Sequence, residues 1–191
     1  MTETGFGEKV KGFLISPVET FQKIKDEDID PLIKYFVILM LIFSIPMATI
    51  ITINLTSPVL TPPLPMIFEL PAKLLFKAGG LAAMVALAIL MIALFGGLFI
   101  GAAIVHIFVY LLGGGKGYTQ TVKSIGYGMT PLLLLGWIPF IGIIFSIWAL
   151  VVGIIGIREL QDISTGKAVL ALILPIIIGI IVGIVMLAYT I

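Results

Sequence analysis

The chain has 191 residues, of which 60% are hydrophobic and 11% charged, with a formal net charge of +1 and no cysteine. Soluble domains carry about 25% charged residues, so most of this chain must face lipid or other apolar helices. The missing cysteine excludes disulfides, thiol catalysis and cysteine metal sites.

Residues 1–30 are polar and charged and lack the apolar core of a secretory signal peptide, so the first span is expected to act as an uncleaved signal. Ser16-Pro17-Val18-Glu19 has the pattern of a helix start, with Ser16 as N-cap, Pro17 at the first position and Glu19 three residues on. Val18, Phe21 and Ile24 share one face of that helix, and Phe13 is placed to staple onto it. The expectation is a short amphipathic segment along the cytoplasmic interface. The acidic cluster Asp26, Glu27, Asp28 and Asp30 follows.

Residues 31–191 read as an all-α polytopic membrane bundle of five transmembrane helices, because about 20 apolar residues cross a hydrocarbon core of roughly 30 Å. The first span is expected at Leu32–Leu55 and contains Pro46; a proline-rich connection from Thr56 to Pro71 follows it. The second, Leu81–Leu112, lies in a run free of charged residues. At about 1.5 Å per residue it extends about 48 Å, so it must tilt or project into the headgroups. Gly113-Gly114-Gly115-Lys116-Gly117 is a turn. The third span, Thr121–Trp137, is the least hydrophobic, with Ser124, Gly126, Tyr127, Gly128, Thr130 and Pro131 inside it. A tight hairpin leads to the fourth, Pro139–Ile157, and a polar loop from Arg158 to Lys167 to the fifth, Val169–Tyr189, with Pro175 inside. Prolines are tolerated in membrane helices where neighbours satisfy the freed carbonyls.

Five spans place Lys9, Lys11, Lys23, Lys25, Lys34, Lys116, Lys123, Arg158 and Lys167 on one side and only Lys73 and Lys77 on the other. The positive-inside rule then puts the N-terminus in the cytoplasm and the C-terminus outside. Tyr35, Tyr110, Tyr118, Trp137 and Tyr189 fall near span ends, as interfacial aromatics do.

Phe13, Ser16-Pro17 and Phe21, then His106 followed by Leu112 to Tyr118, then Tyr127, Pro131, Trp148 and Asp162 to Ala168, occur in an order that resembles the Yip family of integral membrane proteins, the Ypt/Rab-GTPase-interacting proteins. The resemblance covers the chain from about Phe13 onward. It implies five spans with a cytoplasmic N-terminus, and a trafficking-related, partner-binding role in early secretory membranes of eukaryotes, where a small GTPase is the implied partner. Richness in isoleucine and absence of cysteine point instead to a prokaryotic source. The cell membrane is then the expected location, and the GTPase role need not carry over.

Candidate sites are few. Gly113 to Gly117 does not meet the G-x-x-x-x-G-K-[ST] spacing of a phosphate loop, since Gly117 follows Lys116, and Gly166-Lys167 is followed by Ala168. His106 is the single histidine and lies in an apolar span, where ionisable residues are functional candidates by default. Counting helix rise from the glycine turn places His106 and Tyr127 at similar depth, about 10 Å. An intramembrane polar cluster of His106, Ser124, Tyr127 and Thr130 is therefore expected. Gly97-x-x-x-Gly101 and Gly179-x-x-x-Gly183 are small-residue helix contacts, read first as contacts inside the bundle and second as faces for homo- or hetero-oligomers. Phe13, Pro17 and Phe21 are expected as apolar anchors for a cytoplasmic protein partner, with Asp26, Glu27 and Asp28 steering it, on a separable N-terminal segment. The expected function is a non-enzymatic membrane-organising or partner-binding scaffold, with no cofactor, metal or nucleic acid. The alternative is a small transporter or channel lined by the polar third span and His106.

Overall fold

A computed structural model describes residues 5–56 and 80–190; the expected proline-rich connection beyond Thr56, with Lys73 and Lys77, lies outside them. The described residues form helices α1 (Phe6–Ile15), α2 (Pro17–Lys23), α3 (Asp30–Thr56), α4 (Gly80–Leu111), α5 (Tyr118–Gly128), α6 (Thr130–Leu135), α7 (Ile141–Gln161) and α8 (Thr165–Thr190). Among them, four helices are long and apolar enough to cross a membrane: α3, α4, α7 and α8.

The third expected span is not one helix. It breaks at Met129 into α5 and α6. Pro131 is the physical reason: it has no N–H to offer the carbonyl four residues back, that of Tyr127. The Thr130 hydroxyl takes that role, donating to the Tyr127 carbonyl at 2.6 Å. Tyr35 OH and Thr130 Oγ1 lie 3.0 Å apart; with the Thr130 proton committed, Tyr35 is the donor. Pro46 and Pro175, in contrast, stay inside α3 and α8.

The broken helix packs against α3, α4 and α7. Its register with α7 is antiparallel. Thr121 meets Gln161 at one end, Gly128 meets Gly153 midway, and Gly136 meets Gly142 at the hairpin. With α3 it runs parallel, Leu32 against Gly126 and Tyr35 against Thr130. A second cluster, Val105, Val109, Ile157, Ala168, Ala171 and Leu172, joins α4, α7 and α8.

The N-terminal segment departs from expectation. Ser16 precedes α2 but makes no side-chain cap bond; its carbonyl instead accepts from Thr20 Oγ1 at 2.8 Å. Phe13 and Phe21 are 0% exposed and Ile24 is 1% exposed, and Pro17 is buried with them. The Phe13 ring stacks on Tyr127 with centroids 4.8 Å apart and meets Phe21 at 4.9 Å. Phe21 presses on α7, where a Cβ on Gly156 would meet its ring at 2.6 Å. Phe13, Pro17 and Phe21 therefore serve the core and are not displayed as partner anchors. The segment packs into the bundle, and its Phe13, Phe21 and Ile24 share one core cluster with Tyr35, Tyr127 and Leu160.

The glycines at helical spacing also differ from the first reading. A Cβ on Gly97, Gly101, Gly179 or Gly183 would meet nothing within 4 Å among the described residues, so these motifs do not make the contacts expected inside the bundle. At Gly128 a Cβ would meet the Gly153 Cα at 2.7 Å. Gly128→Leu should therefore force α5 and α7 apart and destabilise the fold by about 1–3 kcal/mol. Gly101→Ala should be neutral or stabilising by up to about 1 kcal/mol. Thermal unfolding of the detergent-solubilised variants measures both, and equal midpoints would contradict the packing described.

Candidate functional site at the polar end of the bundle

The residues able to do chemistry collect at one end. The loop after α2, the glycine turn between α4 and α5, and the turn between α7 and α8 meet there. Asp162 joins all three: Lys25 Nζ lies 2.6 Å from its Oδ1 and Lys116 Nζ 3.0 Å from its Oδ2. Gln22 Nε2 donates to Glu159 at 2.9 Å, tying α2 to α7.

The glycine turn is built by its backbone. Gly113 has φ +93, the left-handed region that lacks a Cβ penalty only for glycine. It closes α4 with its N–H on the Tyr110 carbonyl, while the Gly114 N–H reaches Val109 O, the Schellman arrangement. Gln161 then locks the turn. Its Oε1 accepts from the Lys116 N–H at 3.0 Å, and its Nε2 donates to Gly117 O and to Thr121 Oγ1, each at 2.9 Å.

His106 belongs to this lock. Its Nδ1 lies 2.8 Å from Thr121 Oγ1, and its ring meets Tyr118 edge-on at 5.6 Å between centroids. The partner is on the polar third segment, as expected, but about one turn nearer the glycine turn than Ser124 and further still from Tyr127 and Thr130. The physical reason is that α5 starts at Tyr118, three residues before the expected start of the span at Thr121. His106 is thus level with Gln161, the last residue of α7. The expected cluster of His106, Ser124, Tyr127 and Thr130 does not assemble. Ser124 Oγ donates to Gln120 O in its own helix at 2.8 Å, and Tyr127 and Thr130 belong with Tyr35.

Two of the lysines counted above on the cytoplasmic side are buried. Lys123 is 0% exposed; its ammonium donates to the carbonyls of Lys25 at 2.8 Å and Glu27 at 2.7 Å. Lys9, 6% exposed, donates to Glu27 Oε2 at 2.6 Å and to Tyr127 OH at 3.4 Å, with its ammonium 5.5 Å from the Tyr127 ring centroid. The signal available for Lys123 was its place inside an expected span, where an ionisable residue needs a partner. Nothing in the spacing marks Lys9. Glu27 is thus engaged with Lys9, while Asp26 and Asp28 remain exposed. These acidic residues, with Lys25, Ile29, Asp30, Thr119 and Gln120, line an open groove of about 580 Å³. His106 is not part of that lining.

The hydrogen bonds from Lys25 and Lys116 hold the Asp162 carboxyl below the usual aspartate range. A depressed folded value means that the unfolded chain binds more protons, so stability rises with pH across this window. The contribution of Asp162 is complete above the ordinary aspartate pKa and is lost as pH falls through the depressed value. The midpoint difference between the parent protein and Asp162→Asn should shrink accordingly on acidification. It should be small throughout, because the pair is open to solvent.

The histidine lock generates a second expectation. Thr121→Val removes the shared partner of His106 and Gln161 and should destabilise by about 1–3 kcal/mol, the penalty of leaving buried polar groups unpaired. Ser124→Ala, which removes a bond outside the lock, should cost much less. Denaturation midpoints in detergent compare the two directly, and a larger loss for Ser124→Ala would overturn the assignment.

A family model, the Yip1 domain, matches residues 11–187. No curated protein and no solved structure matches the chain.

Proposed function

The chain belongs to the Yip1 domain family of membrane proteins, and from that premise we propose that it is a non-enzymatic scaffold whose polar end docks a soluble cytoplasmic protein. The observation that carries this reading is the convergence of three polar segments on Asp162. Together they offer a charged, hydrogen-bonding platform beside an acidic groove. Asp26 and Asp28, exposed at its rim, can steer a partner bearing positive charge.

Helix register supports the same reading of membrane orientation. The broken helix α5–α6 runs beside α7 over its whole length, from Gln161 to Gly142. If α7 crosses the bilayer, α5–α6 crosses with it, as a fifth traverse. An odd number of traverses puts the termini on opposite sides. The lysines and arginine of the platform assign it to the cytoplasm. The faces bearing Gly97 and Gly101, and Gly179 and Gly183, are then available to a second copy or a related chain, since small residues let helix backbones approach in lipid. The transporter alternative gains no support from the groove, whose lining leaves out His106.

Because the protein has no cysteine, single cysteines can report sidedness. A membrane-impermeant reagent added outside should label Phe140→Cys and Thr190→Cys but not Gly115→Cys or Ser164→Cys. Labelling of Gly115→Cys from outside would sink the orientation. For docking, capture from native membranes should lose its cytoplasmic partner when Asp26→Lys and Asp28→Lys are combined at equal membrane insertion. An unchanged partner list would remove the platform reading.

A further inference from the structure

We propose that α1 is a reversible wedge latched by the Lys9–Glu27 ion pair, and that neutralising Glu27 releases α1 and exposes Phe13. The latch is one contact. Lys9 Nζ sits 2.6 Å from Glu27 Oε2, with side chains 7% and 25% exposed. The other groups facing that ammonium are the Tyr127 hydroxyl and ring, neither of which carries a negative charge.

The charge balance around the latch is uneven. Lys123, wholly buried in α5, donates to the backbone carbonyls of Lys25 and Glu27 and to no carboxylate. Two ammonium groups therefore bracket the loop that carries Glu27. Asp26 and Asp28 on the same loop are exposed, and Lys25 is committed to Asp162. Breaking a buried pair by removing one partner leaves an uncompensated buried charge, which is far worse than replacing both. With Glu27 neutral, Lys9 keeps a phenol and an aromatic face but no anion. Its way back to water is for α1 to swing out.

The geometry allows that swing. Ser16 breaks the chain between α1 and α2 with φ −134 and ψ 60. Elsewhere α1 packs through rings, Phe13 on Tyr127, Tyr35 and Phe21 and Phe6 on Tyr35, while α2 stays tied to α7 through Gln22 and Glu159. Glu27 is the member of the pair that solvent can reach, since it lines the open groove. A cationic group entering the groove would compete with Lys9 for it. What the released aromatic residues would meet rests on the docking reading above; the release itself does not.

The test uses full-length, detergent-solubilised protein and a water-soluble maleimide. Phe13→Cys reports on α1, since Phe13 is 0% exposed. Ala171→Cys reports on the second cluster, which α1 does not join, and is 0% exposed. Glu27→Gln should raise the labelling rate at Phe13→Cys by about tenfold or more over Phe13→Cys alone, since local opening exposes the site. The rate at Ala171→Cys should stay unchanged. Adding Lys9→Met to Glu27→Gln should restore slow labelling at Phe13→Cys, because no charge is then left unpaired. An unchanged rate in Glu27→Gln, a parallel rise at Ala171→Cys, or no restoration in the double variant would each overturn the latch. None of these readouts depends on partner capture, so failure here is distinct from failure of the docking reading.

Discussion

Tyr127 is the residue on which the rest of the bundle turns. Its carbonyl is the one that Pro131 orphans, and an unpaired carbonyl inside an apolar bundle is costly. The Thr130 hydroxyl repairs it at 2.6 Å and is oriented in turn by Tyr35. The same residue presents its ring to Phe13 and Tyr35 and its hydroxyl to Lys9. Backbone break, aromatic core and buried ion pair therefore meet at one position. The break lets α5 deliver Tyr127 and Lys123 inward while α6 continues along α7. A straight helix with the register of α5 would carry the following residues along a different line.

That arrangement explains which parts of the fold were legible in the sequence. Long apolar runs located α3, α4, α7 and α8 to within a few residues, because hydrocarbon thickness and helix rise leave little freedom. Charge segregation identified the three segments that meet at Asp162. The broken span was not legible, because proline alone does not decide the matter. Pro46 and Pro175 sit in continuous helices, whereas Pro131 follows a threonine able to replace the missing donor and two glycines, Gly126 and Gly128, that weaken the helix before it. The inward face of the N-terminal segment was misassigned for a related reason. An apolar stripe of Phe13, Phe21 and Ile24 looks the same whether it faces lipid or protein, and here it faces Tyr127 and Gly156. His106 was placed on the right neighbouring segment but a turn or more off, since register was counted from turn boundaries that differ by two or three residues.

Buried charge is the other theme of the structure. Lys9 and Lys123 would be prohibitive in hydrocarbon, yet both lie against the loop of residues 25–29, where backbone carbonyls and Glu27 receive them. The lysines do not anchor to headgroups; they fasten a loop to the bundle. Lys123 does so through backbone carbonyls, whereas Lys9 relies on a carboxylate. The two fastenings thus differ in kind. One rests on backbone dipoles, and the other depends on the charge of a single side chain that borders solvent.

Helix α4 shows why the polar end is so extensive. Its 32 residues make it about 48 Å long, against a hydrocarbon core of roughly 30 Å. The surplus places His106 level with Gln161 and Thr121, next to the charged turn at Asp162 and away from the bundle's middle. A histidine at that level finds its partners in Thr121 and Tyr118, so it has no need of a dedicated cavity. Its bond to Thr121, and that of Thr121 to Gln161, make it the far end of a chain that fixes the glycine turn. The turn in turn holds Lys116 against Asp162, to which Lys25 brings the N-terminal loop. The residue that looked most like a functional group buried in lipid is better understood as the support that gives the polar platform its shape.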